Sequence, residues 1–216
     1  MTMENLTPEG ARIFCIGRNY AEHARELGNP VPEEPVVFMK PIHCRVPPGG
    51  TVRFPAHGKE LHHEVEVVLR IGRKFRNVST EEADAFIDGV GLGLDLTLRD
   101  VQGFLKERGL PWEKAKAFDQ SAPLGPIVEM EKIDDINDLD FICKVNGEVR
   151  QQGSTRNMIF SPARIVSYLS GIWELLPGDL IYTGTPEGIA GLSPGDIITV
   201  ESDWAGSHSW KIIPSN

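Results

Sequence analysis

The 216-residue chain has no apolar run long enough to span a bilayer, no low-complexity tract and no internal repeat. It also lacks an excess of positive charge. Its 22 Lys and Arg stand against 31 Asp and Glu, a net charge of −9. That balance argues against nucleic acid and anionic membranes as partners, because an acidic surface repels both. Cysteine is scarce. Cys15, Cys44 and Cys143 are scattered and odd in number, so they read as buried reduced thiols, and none has neighbours that suggest a nucleophile. Met1-Thr2-Met3-Glu4-Asn5 has neither the basic nor the apolar stretch of a secretory signal. A cytoplasmic protein is expected. The rest of the composition, 40% hydrophobic and 25% charged, is that of a globular chain long enough for one large domain.

Glycine and proline are plentiful, at 22 and 16 residues, and they divide the chain into many short segments. Strand character is expected at residues 12–16, 36–39, 64–71, 140–145, 179–183 and 196–201. Asn146-Gly147 marks a hairpin between the fourth of these and residues 148–152. Helical pattern is expected at 20–27, 80–87, 98–108 and 162–170. Ser79 or Thr80 and Ser161-Pro162 are suited to begin the second and the last of them. Strands dominate and helices do not alternate with them, so the expected fold is a mixed, β-rich α+β roll with peripheral helices rather than a doubly wound sheet.

The most informative segment is Leu61-His62-His63-Glu64-Val65-Glu66-Val67-Val68-Leu69-Arg70-Ile71-Gly72. Read as a strand, it places Glu64 and Glu66 on one face and Val65, Val67 and Leu69 on the other. Such a pair is often an ordinary solvated face. Two like charges beside an apolar face gain a purpose, however, if a divalent cation removes their repulsion. Asp95 adds a third carboxylate inside the apolar, glycine-rich run Val90-Gly91-Leu92-Gly93-Leu94-Asp95-Leu96. A carboxylate buried there is costly unless it is paired or binds a metal. Three carboxylates without Cys or His in ligand spacing favour a hard cation, Mg²⁺ or Mn²⁺.

Other residues are weaker signals. If the segment from Tyr20 is helical, His23 and Glu26 are i, i+3 neighbours, either a pair that activates water or a casual surface contact. Gly28-Asn29-Pro30 after them suggests a lid. Lys114 or Lys116 could offer a cation to an anionic ligand, and Lys40, ending an apolar strand, is a candidate for a buried cation. Thr183-Gly184-Thr185-Pro186 ends another strand and could present N–H and hydroxyl groups to a carboxylate, or be only a tight turn.

Taken in order, Ile16-Gly17-Arg18-Asn19-Tyr20, Phe38-Met39-Lys40-Pro41, His63-Glu64-Val65-Glu66, Leu94-Asp95-Leu96-Thr97-Leu98-Arg99-Asp100, Lys114-Ala115-Lys116-Ala117-Phe118-Asp119, Val145-Asn146-Gly147-Glu148, Met158-Ile159-Phe160-Ser161 and Tyr182-Thr183-Gly184-Thr185-Pro186 resemble the fumarylacetoacetate hydrolase (FAH) superfamily. They are most similar to its small acylpyruvase and oxaloacetate decarboxylase branch, typified by FAH-domain-containing protein 1. The resemblance implies an FAH-type β-sandwich roll over residues 1–216 as a single catalytic domain. Its first 50 or so residues would carry a lid helix and residues 51–216 the metal-binding core. It further implies a homodimer, Mg²⁺ or Mn²⁺ on Glu64, Glu66 and Asp95, Lys116 as oxyanion or enolate stabiliser, and His23 with Glu26 as the dyad that deprotonates water. Arg18, Arg99, Gln102 and Thr185 would line the substrate pocket, with Gly184 and Lys40 beside them. The implied reaction is hydrolysis of a carbon–carbon bond in an acylpyruvate, with oxaloacetate decarboxylation or tautomerisation as further activities. Two alternatives are a 2-hydroxy-dienoate isomerase or hydratase and a non-catalytic dimer that binds metal and small acids.

Overall fold

A computed structural model of the chain describes residues 10–26, 28 and 30–215. Its largest sheet has six strands in the order Val128–Glu129, Ile87–Leu94, Val65–Ile71, Leu180–Tyr182, Ile13–Gly17 and Val36–Lys40. Ile13–Gly17 runs parallel to Leu180–Tyr182, and the other neighbours are antiparallel. A second sheet orders Glu148–Ser154, Asp140–Val145, Ile197–Ser202, Gly206–Ile213 and Thr51–Arg53. A three-stranded sheet joins Ala190–Leu192, Leu61–His63 and Thr97–Leu98. Helices are few, and the mixed, β-rich class expected from the sequence is the class observed.

Residues from the two large sheets share one apolar core. Val65, Val67, Leu69 and Ile71 meet Phe141, Cys143, Ile198, Val200 and Trp210 there, and helix Pro162–Ile172 adds Ile165, Val166 and Leu169. The alternation is clean, but the far face is not wet. Val68 lies on it with Cys15 and Tyr182 in a second buried cluster. Glu66 shares that face and is therefore buried too.

Most expected elements appear within a residue or two. The Asn146-Gly147 hairpin is present, with Asn146 and Gly147 both at positive φ. Ser161 caps helix Pro162–Ile172 by accepting the Arg164 N–H at 3.3 Å. The expected strand at 64–71 instead begins at Val65, because Glu64 is the joint where the chain leaves Leu61–His63 and enters the main sheet. The helix expected at 80–87 is α-helical only over Thr80–Ala83 and tightens to a 3₁₀ turn at Asp84–Phe86. The helix near the N-terminus covers Ala21–Glu26. Leu27 and Asn29, part of the expected helix end and lid, lie outside the described residues. The segment before residue 51 is woven into the main sheet through Ile13–Gly17 and Val36–Lys40 rather than laid over a separate core.

Candidate active site

Glu64, Glu66 and Asp95 converge although each comes from a different local context. Glu64 sits at the joint between two strands, Glu66 is the second residue of Val65–Ile71, and Asp95 follows the end of Ile87–Leu94. The Asp95 N–H donates to the Glu64 carbonyl at 2.8 Å and fixes the two segments together. One ligand oxygen from each carboxylate lies within 4.8 Å of the others, and all three residues are buried.

Three carboxylates at that separation need positive charge, and the fold supplies it unevenly. Lys116 Nζ lies 2.7 Å from Glu64 and 2.6 Å from Asp95. It arrives on the short helix Glu113–Lys116, which buries Lys116 and leaves Lys114 exposed, settling the choice between them. Lys40 Nζ approaches Asp95 from behind at 2.8 Å, is 1% exposed, and donates to the Leu96 and Lys116 carbonyls. It braces the cluster and does not line the cleft. Arg99 forks between Glu64 and Gln102. Helix Arg99–Glu107 sets that fork, since i, i+3 neighbours share a face.

Burial alone would raise the Glu64 carboxyl, but Lys116 and Arg99 outweigh it and hold Glu64 well below the usual carboxylate range. Glu66 goes the other way. Burial, then the charges of Asp95 and Glu64, push it well above that range, while Gly184 N–H donates to it at 2.7 Å. Burial disfavours the Lys116 charge, yet Asp95 and Glu64 prevail and its ammonium is held more firmly than usual. The residual strain is therefore at Glu66, a buried carboxylate beside two like charges. A divalent ion bound by the three oxygens would relieve that deficit, and an all-carboxylate donor set fits a hard cation.

Around the cluster lies a cleft, lined among others by Arg18, His23, Arg99, Gln102, Lys116 and Thr185. His23 is 4% exposed, and its Nδ1 is 3.2 Å from Glu26 Oε2. A carboxylate only accepts, so Nδ1 carries the proton and Nε2 is left as a base. Glu26 Oε1 accepts the Gly188 N–H at 3.1 Å, which ties the dyad to the loop after Leu180–Tyr182. Gly184 is in that loop at φ +104°, where a Cβ would stand 2.7 Å from Asn19 Cβ. Only glycine lets its N–H reach Glu66 so close to the first loop. Arg18 takes a left-handed φ of 59° at the cleft. The next residue, Asn19, clamps the first loop by donating to the Phe160 and Thr183 carbonyls and accepting the Phe160 N–H, at 3.0, 2.8 and 2.7 Å.

The cleft also contains Phe38, Lys106 and Trp112, which sequence reasoning did not single out. The Phe38 and Trp112 rings are 5.9 Å apart and form an apolar wall. Lys106 stands one turn beyond Gln102 on the same helix, a spacing visible in the sequence once the helix face is known. Gln151, buried behind Thr185, was equally unmarked.

Comparison with known proteins identifies the family. Residues 12–212 match the family described as fumarylacetoacetate (FAA) hydrolase, C-terminal. The chain is 46% identical to the mitochondrial oxaloacetate tautomerase FAHD1 of Bos taurus, over 88% of this chain and 86% of that protein. It is 39% identical to a mitochondrial oxaloacetate decarboxylase of Dictyostelium discoideum, over 91% and 90%. Among solved structures, the fumarylpyruvate hydrolase of Pseudomonas aeruginosa in complex with Mn²⁺ and pyruvate superimposes with a TM-score of 0.91 at 39% identity, covering 94% of this chain and 90% of that one. With a family match across nearly its whole length and relatives this similar, the chain belongs to the fumarylacetoacetate hydrolase family.

Proposed function

We propose that this chain is a divalent-metal-dependent enzyme that hydrolyses the carbon–carbon bond of acylpyruvates to pyruvate and a carboxylic acid. The observation that carries the reading is the coincidence, in one cleft, of a buried three-carboxylate cluster with a histidine whose Nε2 is free to act as base. Glu64, Glu66 and Asp95 would hold Mg²⁺ or Mn²⁺, which would supply Lewis-acid stabilisation of negative charge developing on a 2-oxo oxygen. His23 takes a proton from water, and Glu26 stabilises the imidazolium that results. The hydroxide adds to the C4 carbonyl, and the Lys116 ammonium faces the oxyanion. The bond between C3 and C4 then breaks, C3 takes up a proton, and the acid and pyruvate leave. Arg18, Arg99, Gln102 and Thr185 orient the substrate carboxylate. Lys40 and Gly184 act on the carboxylate cluster.

The relatives favour a second reading. Oxaloacetate tautomerisation or decarboxylation needs the same stabilisation of negative charge but no attacking water, and curated relatives carry those names. Pyruvate release from acetylpyruvate and from oxaloacetate, with Mn²⁺, Mg²⁺ or EDTA, separates the readings. Metal-dependent release from acetylpyruvate supports hydrolysis. Release from oxaloacetate alone makes the chain a decarboxylase. Decay of enol absorbance from oxaloacetate without pyruvate makes it a tautomerase. We further infer a homodimer and a cytoplasmic location. For the location, the buried free thiols support a reducing compartment, and the mitochondrial designation of the relatives names the competing one.

A further inference from the structure

Strand Glu148–Ser154 carries an inversion that its packing does not explain. Val149 is 54% exposed, whereas Gln151 is 1% exposed. The cause is a bulge. Cys143 pairs with Gln151 and Lys144 with Val149, so Arg150 is an extra residue that turns Gln151 toward the interior. An apolar side chain is given up to solvent and an amide is buried, the kind of local conflict that marks a functional constraint.

All four polar valences of the Gln151 amide are used. Its Oε1 accepts the Val65 N–H at 3.1 Å and the His63 ring Nδ1–H at 2.9 Å. Its Nε2 donates to Thr185 Oγ1 at 2.8 Å and to the Pro186 carbonyl at 2.9 Å. The orientation of the amide is forced, because the Val65 N–H can only donate and the Pro186 carbonyl can only accept. Thr185 Oγ1 is therefore an acceptor from behind, and its own proton must turn elsewhere. Among the described residues no protein group accepts it, and Thr185 lines the cleft. Thr183, two residues earlier, gives its hydroxyl proton to the Val67 carbonyl at 2.8 Å.

We propose that Gln151 is a positioning residue that fixes the Thr185 hydroxyl as a hydrogen-bond donor into the cleft, toward an anionic oxygen of the ligand. The same amide holds Val65 between Glu64 and Glu66 and holds Pro186 in the loop whose Gly188 N–H steadies Glu26. Those two contacts fix backbone and are read by Mn²⁺ affinity and by folding, whereas pyruvate affinity at saturating Mn²⁺ reads the contact to Thr185. The inference rests on the reading of the cleft as a 2-oxo acid site, but not on which reaction follows.

The test is calorimetric binding of pyruvate to Mn²⁺-loaded protein. Thr185→Val and Gln151→Met are each expected to weaken pyruvate about tenfold or more, as befits one lost hydrogen bond to a charged group. Thr185→Ser keeps the donor and should bind as wild type does. Because Gln151 acts through Thr185, adding Gln151→Met to Thr185→Val should cost pyruvate affinity nothing further. Gln151→Glu keeps the acceptor for Val65 but captures the Thr185 proton, and its effect should likewise vanish beside Thr185→Val. Additive losses, or a Thr185→Val variant that binds pyruvate like wild type, would overturn the proposal. If neither Gln151 variant folds, the comparison of Thr185→Val with Thr185→Ser decides it: a loss restored by serine supports the donor, and equal binding removes it. Wild type that binds Mn²⁺ but neither pyruvate nor oxalate would sink the 2-oxo acid reading and this inference with it. Wild type that binds while the variants bind equally well would sink this inference alone.

Discussion

At the scale of single residues, Glu64, Glu66 and Asp95 all carry a carboxyl group, yet their electrostatic settings differ. Glu64 is held ionised by Lys116 and Arg99 against the effect of burial, whereas Glu66 is pushed upward by burial and by Asp95 and Glu64. In the metal-free protein Glu66 retains a proton into a pH range where an exposed carboxylate has lost it. A metal needs the ionised form, so its binding displaces that proton, and lowering the pH through the Glu66 range weakens binding by up to about tenfold per unit. Calorimetry of Mn²⁺ binding in two buffers of different ionisation enthalpy should find a proton release that declines as pH rises through the Glu66 range. No release would mean that Glu66 is already ionised. For folding of the metal-free protein the sign is fixed as well. A carboxyl raised in the folded state contributes stability below its unfolded pKa and loses that contribution as pH rises through its folded value. Glu66→Gln should abolish metal binding and every activity together.

His23 gives the second prediction at this scale. His23→Ala should reduce acylpyruvate hydrolysis by about 10²- to 10⁴-fold, the usual worth of a positioned general base. Oxaloacetate decarboxylation, which needs no activated water, should survive. Steady-state kinetics on both substrates would check this, and unchanged hydrolysis would remove His23 from the water-activating role.

At the scale of elements, the site depends on how loops are tied rather than on how strands are made. Asn19 contributes nothing to the cleft directly, but its side chain joins the first loop to Phe160 and to the end of Leu180–Tyr182. Asn19→Ala would leave those buried backbone groups without partners, a cost on the order of 3 kcal/mol. Thermal melting should fall by roughly 6–12 °C for a chain of this size. Because the clamp also sets the backbone of Arg18 and the approach of Gly184 to Asn19, activity should fall further than the loss of folded protein explains.

At the scale of the whole molecule, the acidic cluster is a stability cost that a bound cation would offset. Its carboxylates are drawn from three separate strand ends, and their repulsion acts across the main sheet. A ligand that binds only the folded state stabilises it by about 2.7 kcal/mol at a hundredfold excess over its dissociation constant. Mn²⁺ should therefore raise the melting temperature of EDTA-treated protein by several degrees, and Glu66→Gln should abolish that rise. An unshifted melting temperature in wild type, at Mn²⁺ concentrations that support activity, would mean that the cation does not sit in this cluster.

Much of this was legible in the sequence, and what was legible was local. Alternation of apolar and polar residues specified the strands, Asn146-Gly147 its hairpin, and Ser161-Pro162 the start of a helix, because each depends on backbone preferences within a few residues. Glu64, Glu66, Asp95 and the His23–Glu26 spacing could be picked out for the same reason. Tertiary structure alone decided the rest. It set the Lys116 ammonium against Glu64 and Asp95 and left Lys114 in solvent, since packing of Glu113–Lys116 determines which ammonium is buried. It moved Lys40 behind the carboxylates and buried Glu66 on a face that local pattern would leave to solvent, because a second apolar cluster covers that side of the sheet. It also turned Gln151 inward through a bulge of one residue, which no periodicity in the sequence announces. Short-range sterics and hydrogen bonding are written into neighbouring residues, whereas the charge balance of a buried site is a sum over groups that only the folded chain brings together.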